Sequence, residues 1–274
     1  MNQIDAPELH NLMADKAVKI VDGSWALDGT DMRALYAQDH IPGAVFFDLD
    51  AISDRTSDLP HMAPTPEAFA AAVGQMGISD RDAVVVYDRQ GLFSAARVWW
   101  TFRLMGHKDV RVLRGGLPAW KAAGYATDAS VSSPAPADYH AVLRHDLCID
   151  RDQVLHGLQD DDTLILDARP RARFDGAAPE PRAGLRSGHM PGSRNLPFSD
   201  LIRDGALLPK SELESVFRDL DAGGKARLIA TCGSGVTAAV ISLALAETGR
   251  EARLYDGSWA EWGREDAPTP VVKS

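Results

Sequence analysis

The chain has 274 residues, 45% of them hydrophobic, a formal charge of −10 and two cysteines. That length exceeds the usual size of one core, so two domains of about 100–150 residues each are expected. The acidic balance opposes nonspecific binding to nucleic acid or anionic lipid, no uncharged apolar run reaches the ~18 residues of a membrane helix, no signal-like segment opens the chain, and two cysteines cannot build a disulfide framework. No nucleic-acid or membrane partner is therefore predicted, and the reducing cytoplasm is the expected compartment.

In chain order, Val18-Lys19-Ile20-Val21-Asp22 reads as a strand ending in aspartate, followed by His40-Ile41-Pro42-Gly43-Ala44 and the apolar Val45-Phe46-Phe47. Thr65-Pro66-Glu67 supplies an N-cap, a proline at the first helical position and an acid in the first turn, which starts a helix through residue 76. Ala83-Val84-Val85-Val86-Tyr87 is a β-branched run, and Gly115-Gly116-Leu117-Pro118-Ala119-Trp120 comes after it. Residues 127–138 are rich in Ala, Ser and Pro and read as a linker. Beyond them lies Leu147-Cys148-Ile149, whose cysteine reads as a small buried hydrophobe, with a redox partner as the other reading.

The order then repeats. Leu164-Ile165-Leu166-Asp167 is a second strand ending in aspartate, His189-Met190-Pro191-Gly192-Ser193 echoes the earlier His-x-Pro-Gly segment, and Asp256-Gly257-Ser258-Trp259-Ala260-Glu261-Trp262 echoes the Gly-Gly-Leu-Pro-Ala-Trp run. A domain-sized period means two related domains rather than a solenoid. Strands alternating with helical patterns predict an α/β fold with a mainly parallel sheet flanked by helices in each copy. The predicted boundaries are an N-terminal domain over residues 1–126, a linker over 127–145 and a C-terminal domain over 146–274. The two histidines occur in both copies, which points to a structural role for His40 and His189.

Between the apolar run Arg227-Leu228-Ile229-Ala230 and a helical stretch over residues 238–248 stands Cys232-Gly233-Ser234-Gly235-Val236-Thr237. A cysteine where a buried strand meets a helix N-terminus is set up as a nucleophile, because the helix favours an anion there and the glycines let backbone N–H groups turn inward. Gly233, Gly235, Val236 and Thr237 are expected to contribute those N–H groups, with the Thr237 hydroxyl also able to cap the helix. The helix is apolar almost all round, so it is expected to be buried and to hold the loop rigidly. The competing reading, an inert buried cysteine, is opposed by the Gly-Ser-Gly flanks.

The duplicated domain and this loop resemble the tandem rhodanese family of sulfurtransferases. The loop is similar to that of its mercaptopyruvate-specific members, since no basic residue directly follows Cys232 as in the thiosulfate-specific ones. The resemblance extends to Asp54-Arg55-Thr56-Ser57, Arg97-Val98-Trp99-Trp100 and both His-x-Pro-Gly segments. It implies two rhodanese folds, a nucleophile in the second only, and transfer of sulfur from 3-mercaptopyruvate through a persulfide on Cys232, with pyruvate released. The acceptor would be a thiol, a thioredoxin-like dithiol among the candidates, or cyanide. In the first copy, aligning Ser94-Ala95-Ala96 with Thr237-Ala238-Ala239 puts Asp88 at the cysteine's place.

From the same resemblance, Arg173 and Arg182 are the residues that bind the donor carboxylate, and Asp50, His61 and Ser234 form a proton relay, the first two contributed by the N-terminal domain at a site between domains. Read as residues alone, Asp50 is equally a cap and His61 equally a surface histidine. Arg186 competes with the two arginines, and Arg169 and Arg171 are assigned structural or solvent roles. No CxxC pair, HExxH helix, P-loop or dinucleotide fingerprint is present, so neither a metal nor a nucleotide cofactor is predicted. Three other readings stand beside this one. They are a thiosulfate sulfurtransferase with the same persulfide, a noncatalytic rhodanese-like binding module, and a cysteine phosphatase, which would need an arginine where Ala238 stands.

Overall fold

A computed structural model describes residues 2–15, 18–130, 133–220 and 222–274. The chain divides into two compact units, one of Met1–Arg55, Ala63–Arg144 and Asp204–Leu207, the other of Thr56–Met62, His145–Arg203 and Leu208–Ser274. The segment Thr56–Met62, with His61, therefore belongs to the second unit although it precedes the linker in sequence.

Each unit is built on a five-stranded sheet whose neighbouring strands are all parallel. In the first the order is Gln3–Ile4, Val110–Leu113, Val84–Tyr87, Lys19–Asp22, Val45–Phe46. In the second it is Cys148–Ile149, Arg253–Tyr255, Arg227–Thr231, Thr163–Asp167, Arg194–Asn195. The two orders are the same when strands are counted along the chain, so the internal repeat is a repeat of topology. All four residues of Val84–Tyr87 are buried, as are the last four of Arg227–Thr231. That explains why both read as continuous apolar runs rather than alternating ones: helices cover both faces of a parallel sheet.

The helix starts follow the local chemistry. Thr65 caps Pro66–Gln75, its hydroxyl accepting from the Ala68 amide at 3.2 Å. The helix Ala238–Glu247 is buried from Ala238 through Leu245. Truncating a large side chain at such positions costs about 2–5 kcal/mol, so the loop that opens this helix stands on a stiff base.

The His-x-Pro-Gly segments do the same structural work twice. His40 Nδ1 donates to the Tyr36 carbonyl at 2.7 Å and its ring stacks on Tyr36, while His189 Nδ1 donates to the Phe174 carbonyl at 2.8 Å and stacks on Phe174. Each histidine also makes an antiparallel bridge to a later residue of its own unit, His40 to Asp128 and His189 to Val272. The Pro-Gly pairs turn the chain between, with Gly43 and Gly192 at φ of +76° and +75°, the left-handed second corner that a Pro-Gly turn requires.

Residues 131 and 132 of the predicted linker lie outside the described residues. From residue 133 to 144 the segment lies along the first unit: the Ala137 amide donates to Gly74 O, Val142 to Met105 O and Arg144 to Leu104 O. Tyr139 anchors it, edge-on to Phe69 and within 3.0 Å of His107 Nδ1 through its hydroxyl. One aromatic ring supplies the apolar contact that a composition of Ala, Ser and Pro conceals.

His107 is 4% exposed, and burial holds its pKa below the ordinary histidine value. The neutral ring is thus favoured in the folded state, and the unfolded chain takes up the proton first. Its contribution to stability is full above about pH 6.5 and is lost as pH falls toward the lowered folded pKa. We expect the difference in thermal midpoint between wild type and His107→Gln to shrink between pH 7.5 and pH 5. A difference constant over that range would show that His107 is not protonated on unfolding.

Candidate active site

The strand Arg227–Thr231 delivers Cys232 to its carboxyl-terminal end, the edge of a parallel sheet at which ligands bind. Cys232 is 2% exposed and Ser234 6% exposed. Gly235 has φ of +77°, and this left-handed residue folds the loop back toward Ala238 without a Cβ penalty. Thr237 stands at the N-cap, but its hydroxyl makes no capping bond, which corrects the expectation. Its backbone is already helical (φ −78°, ψ −17°), whereas a side-chain cap needs an extended residue.

The loop is tied down from behind. The Cys232 carbonyl accepts from the Trp259 amide at 3.0 Å and the Gly233 carbonyl from Ala260 at 2.8 Å. The Cys232 amide donates to Ser258 Oγ at 3.3 Å, and that hydroxyl donates to the Tyr255 carbonyl at 2.8 Å. Ser258 is fully buried with φ of +48°, a conformation costly for a residue with a Cβ. The sequence reading missed it. The available signal was Gly116, which holds φ of +54° at the matching place in the first copy. Ser258→Ala removes the acceptor for the Cys232 amide, and we expect it to cost about 1 kcal/mol, read as a lowered thermal midpoint. A variant as stable as wild type would show that the hydroxyl does not hold the loop.

The first copy shows what such a loop does for an anion. Asp88, 1% exposed, occupies the cysteine's place, its carbonyl accepting from Leu117 as that of Cys232 does from Trp259. Its carboxylate accepts from the amides of Gln90, Phe93, Ser94 and Ala95 at 2.7 to 3.0 Å. Burial pushes this carboxyl up, against the downward pull of those N–H groups. Two amides of the loop, Gln90 and Phe93, and two at the start of the helix Ala95–Leu104, Ser94 and Ala95, thus converge on one side chain, whereas the second copy places a thiol there.

His61 and Ser234 meet in the second unit, His61 Nδ1 lying 2.9 Å from Ser234 Oγ. His61 is 6% exposed with φ of +61°, a strained backbone for a bulky residue, and such strain persists where surrounding structure holds it for a purpose. Asp50 belongs to the first unit, where its Oδ2 accepts from Trp25 Nε1 at 3.1 Å.

Arg173 lies in the single-turn helix Arg171–Phe174 and is ion-paired to Glu180. Its Nη2 lies 3.1 Å from where a Cβ on Gly233 would stand, so the guanidinium lies against the cysteine loop. Arg182 lines a cavity of about 330 Å³ with Asp58, Pro60, Ala260 and Arg264. Two of its lining residues are neighbours of site residues: Pro60 precedes His61 in the chain, and the Ala260 amide donates to the Gly233 carbonyl. Arg186 drops out as a competitor, because its guanidinium is occupied by the carbonyls of Trp262 and Thr269 and the Thr269 hydroxyl. Arg169 is structural: it is ion-paired to Asp167 and Glu180 and lies 4.0 Å over the Trp259 ring.

These features define a duplicated α/β protein with one cysteine loop, in which a buried thiol lies on a loop shared with the serine of a histidine–serine pair, the Arg173 guanidinium lies against that loop, and Arg182 lines a small cavity. Residues 5–123 and 150–265 match the Rhodanese-like domain, and the chain belongs to that family as a tandem pair. The 3-mercaptopyruvate sulfurtransferase of Escherichia coli K12 is 40% identical over 264 residues, covering 94% of each chain. The thiosulfate sulfurtransferase of Rattus norvegicus is 42% identical over 262 residues, covering 93% of this chain and 88% of its own. The crystal structure of an Escherichia coli 3-mercaptopyruvate sulfotransferase superposes with a TM-score of 0.85 at 37% identity, covering 94% of this chain and 99% of the other. The tandem rhodanese resemblance drawn from the sequence holds.

Proposed function

We propose that this chain is a sulfurtransferase that takes sulfur from 3-mercaptopyruvate onto Cys232 and hands it to a thiol or to cyanide. The observation that carries the reading is a cysteine placed where the sister loop binds an anion, with the His61–Ser234 bond and the Arg173 guanidinium beside it. The relatives named above support it.

The Cys232 thiolate attacks the donor sulfur. An S–S bond forms, the C–S bond breaks, and its electron pair goes to carbon as the enolate of pyruvate, which takes up a proton. The loop amides of Gly233, Gly235, Val236 and Thr237 stabilise the negative sulfur, as those of the first copy do the Asp88 carboxylate. Arg173 and Arg182 hold the donor's carboxylate and keto oxygen, for which planar guanidinium groups are suited. Ser234 and His61 move the proton, with Asp50 assigned the third place in the relay. An acceptor thiolate then attacks the outer sulfur and returns Cys232 as a thiolate. A small thiol or a thioredoxin-like dithiol serves as acceptor, and a reducing cytoplasm keeps the cysteine ready. Among the described residues no helix is long and apolar enough to cross a membrane.

The rat thiosulfate enzyme among the relatives favours one alternative, thiosulfate as donor through the same persulfide. The two are separated by comparing pyruvate formation from 3-mercaptopyruvate with sulfite formation from thiosulfate under one acceptor. We expect the larger kcat/KM with mercaptopyruvate, because no cation directly follows Cys232 to meet a dianion. A preference for thiosulfate would replace the donor and leave the nucleophile.

A further inference from the structure

Glu180 is a buried carboxylate with no part in the bond-making above. Its side chain is 2% exposed. Oε1 accepts from Arg169 Nη1 at 2.8 Å, and Oε2 accepts from Arg173 Nε at 3.1 Å and from Arg173 Nη2. Arg169 is itself immobile: its side chain is 1% exposed, its Nη2 donates to Asp167 at 2.7 Å and to the Gly188 carbonyl at 2.9 Å, and Trp259 covers its face. Asp167 closes the sheet strand Thr163–Asp167. An alternating series of charges thus runs from the sheet, Asp167 to Arg169 to Glu180 to Arg173, and ends beside Gly233.

That series supplies what Arg173 lacks locally. A four-residue helix fixes few backbone groups, and a free arginine side chain loses rotamer entropy when it is held in one place. Glu180 takes the Nε–Nη2 edge of the guanidinium, and the Nη1–Nη2 edge is the one left to face a second carboxylate.

We propose that Glu180 is a positioning residue that sets the Arg173 guanidinium against the cysteine loop and so fixes where the donor's carboxylate docks. The proposal rests on the reading of Arg173 as a carboxylate-binding residue. Glu180 touches neither the sulfur nor the proton, so its loss acts on donor binding rather than on handover of sulfur already loaded.

The test measures KM for 3-mercaptopyruvate, and the rate at which preloaded enzyme passes sulfur to a small thiol, in wild type, Glu180→Gln, Glu180→Asp, Arg173→Ala and the double variant Glu180→Gln/Arg173→Ala. Glu180→Asp keeps the charge that Arg169 needs while withdrawing the carboxylate from Arg173, so it serves if Glu180→Gln does not fold. We expect either Glu180 variant to raise KM on the order of tenfold, the scale of one charge-assisted hydrogen bond, with the handover rate unchanged. In the Arg173→Ala background the Glu180→Gln change should add less than about twofold, since the two residues act as one unit. Arg173→Ala raising KM while both Glu180 variants leave it unchanged would overturn the positioning role, as would equal Glu180→Gln effects in both backgrounds. Arg173→Ala leaving KM unchanged would instead remove the carboxylate reading, and the proposal with it.

Discussion

Cys232→Ser is expected to lower sulfur transfer from 3-mercaptopyruvate by a factor on the order of 10⁴ or more, the scale on which removal of a catalytic nucleophile acts. Serine fits the site, since the replaced atom is the only change and the surrounding loop is held by main-chain bonds to Trp259 and Ala260. The fold and its thermal midpoint should therefore stay close to wild type. A hydroxyl at this place is neither acidic enough to be an anion nor soft enough to hold sulfur. Cys148 cannot take over, because it lies on the edge strand Cys148–Ile149, whereas the cysteine loop follows the central strand Arg227–Thr231. Assaying pyruvate release for wild type and variant decides the matter. Retained activity in Cys232→Ser would end the persulfide account.

The second large effect belongs to Arg182→Ala. Arg182 lines the cavity that also takes in Pro60 and Ala260, and a lost charge-assisted bond to a carboxylate costs about 1.5–3 kcal/mol, or roughly 10- to 150-fold. The loss should fall on the half-reaction with mercaptopyruvate and spare handover from preloaded Cys232 to a thiol without a carboxylate. Single-turnover measurement of the two halves separates them. Equal losses in both would count against carboxylate binding by Arg182.

Much of this site was legible in the amino-acid sequence. The cysteine loop and the helix Ala238–Glu247 could be read because each is local: a buried strand, small residues, then an unbroken apolar helix. The duplication could be read because His-x-Pro-Gly is a turn with fixed chemistry, and the histidines do bind equivalent carbonyls in the two copies. What stayed hidden depends on contacts distant in sequence. Glu180 stood in a segment rich in Pro and Gly with nothing to mark its burial between two arginines. Ser258 stood in the repeated segment after the last strand, and only its equivalence to Gly116 betrays the left-handed backbone. The grouping of residues 56–62 with the second unit could not be read either, since that segment precedes the linker, yet it puts His61 within hydrogen-bond reach of Ser234, 173 positions on. The Thr237 cap failed for a local reason, because its helical backbone dihedrals keep the hydroxyl from the amides it would have capped.

The most direct test of the central claim is to incubate the protein with 3-mercaptopyruvate without an acceptor and to determine peptide masses before and after adding a dithiol. The peptide carrying Cys232 should gain the mass of one sulfur atom and lose it to the dithiol, while the Cys148 peptide stays unchanged. Pyruvate released with no sulfur on Cys232, or with the added sulfur on Cys148, would contradict the account.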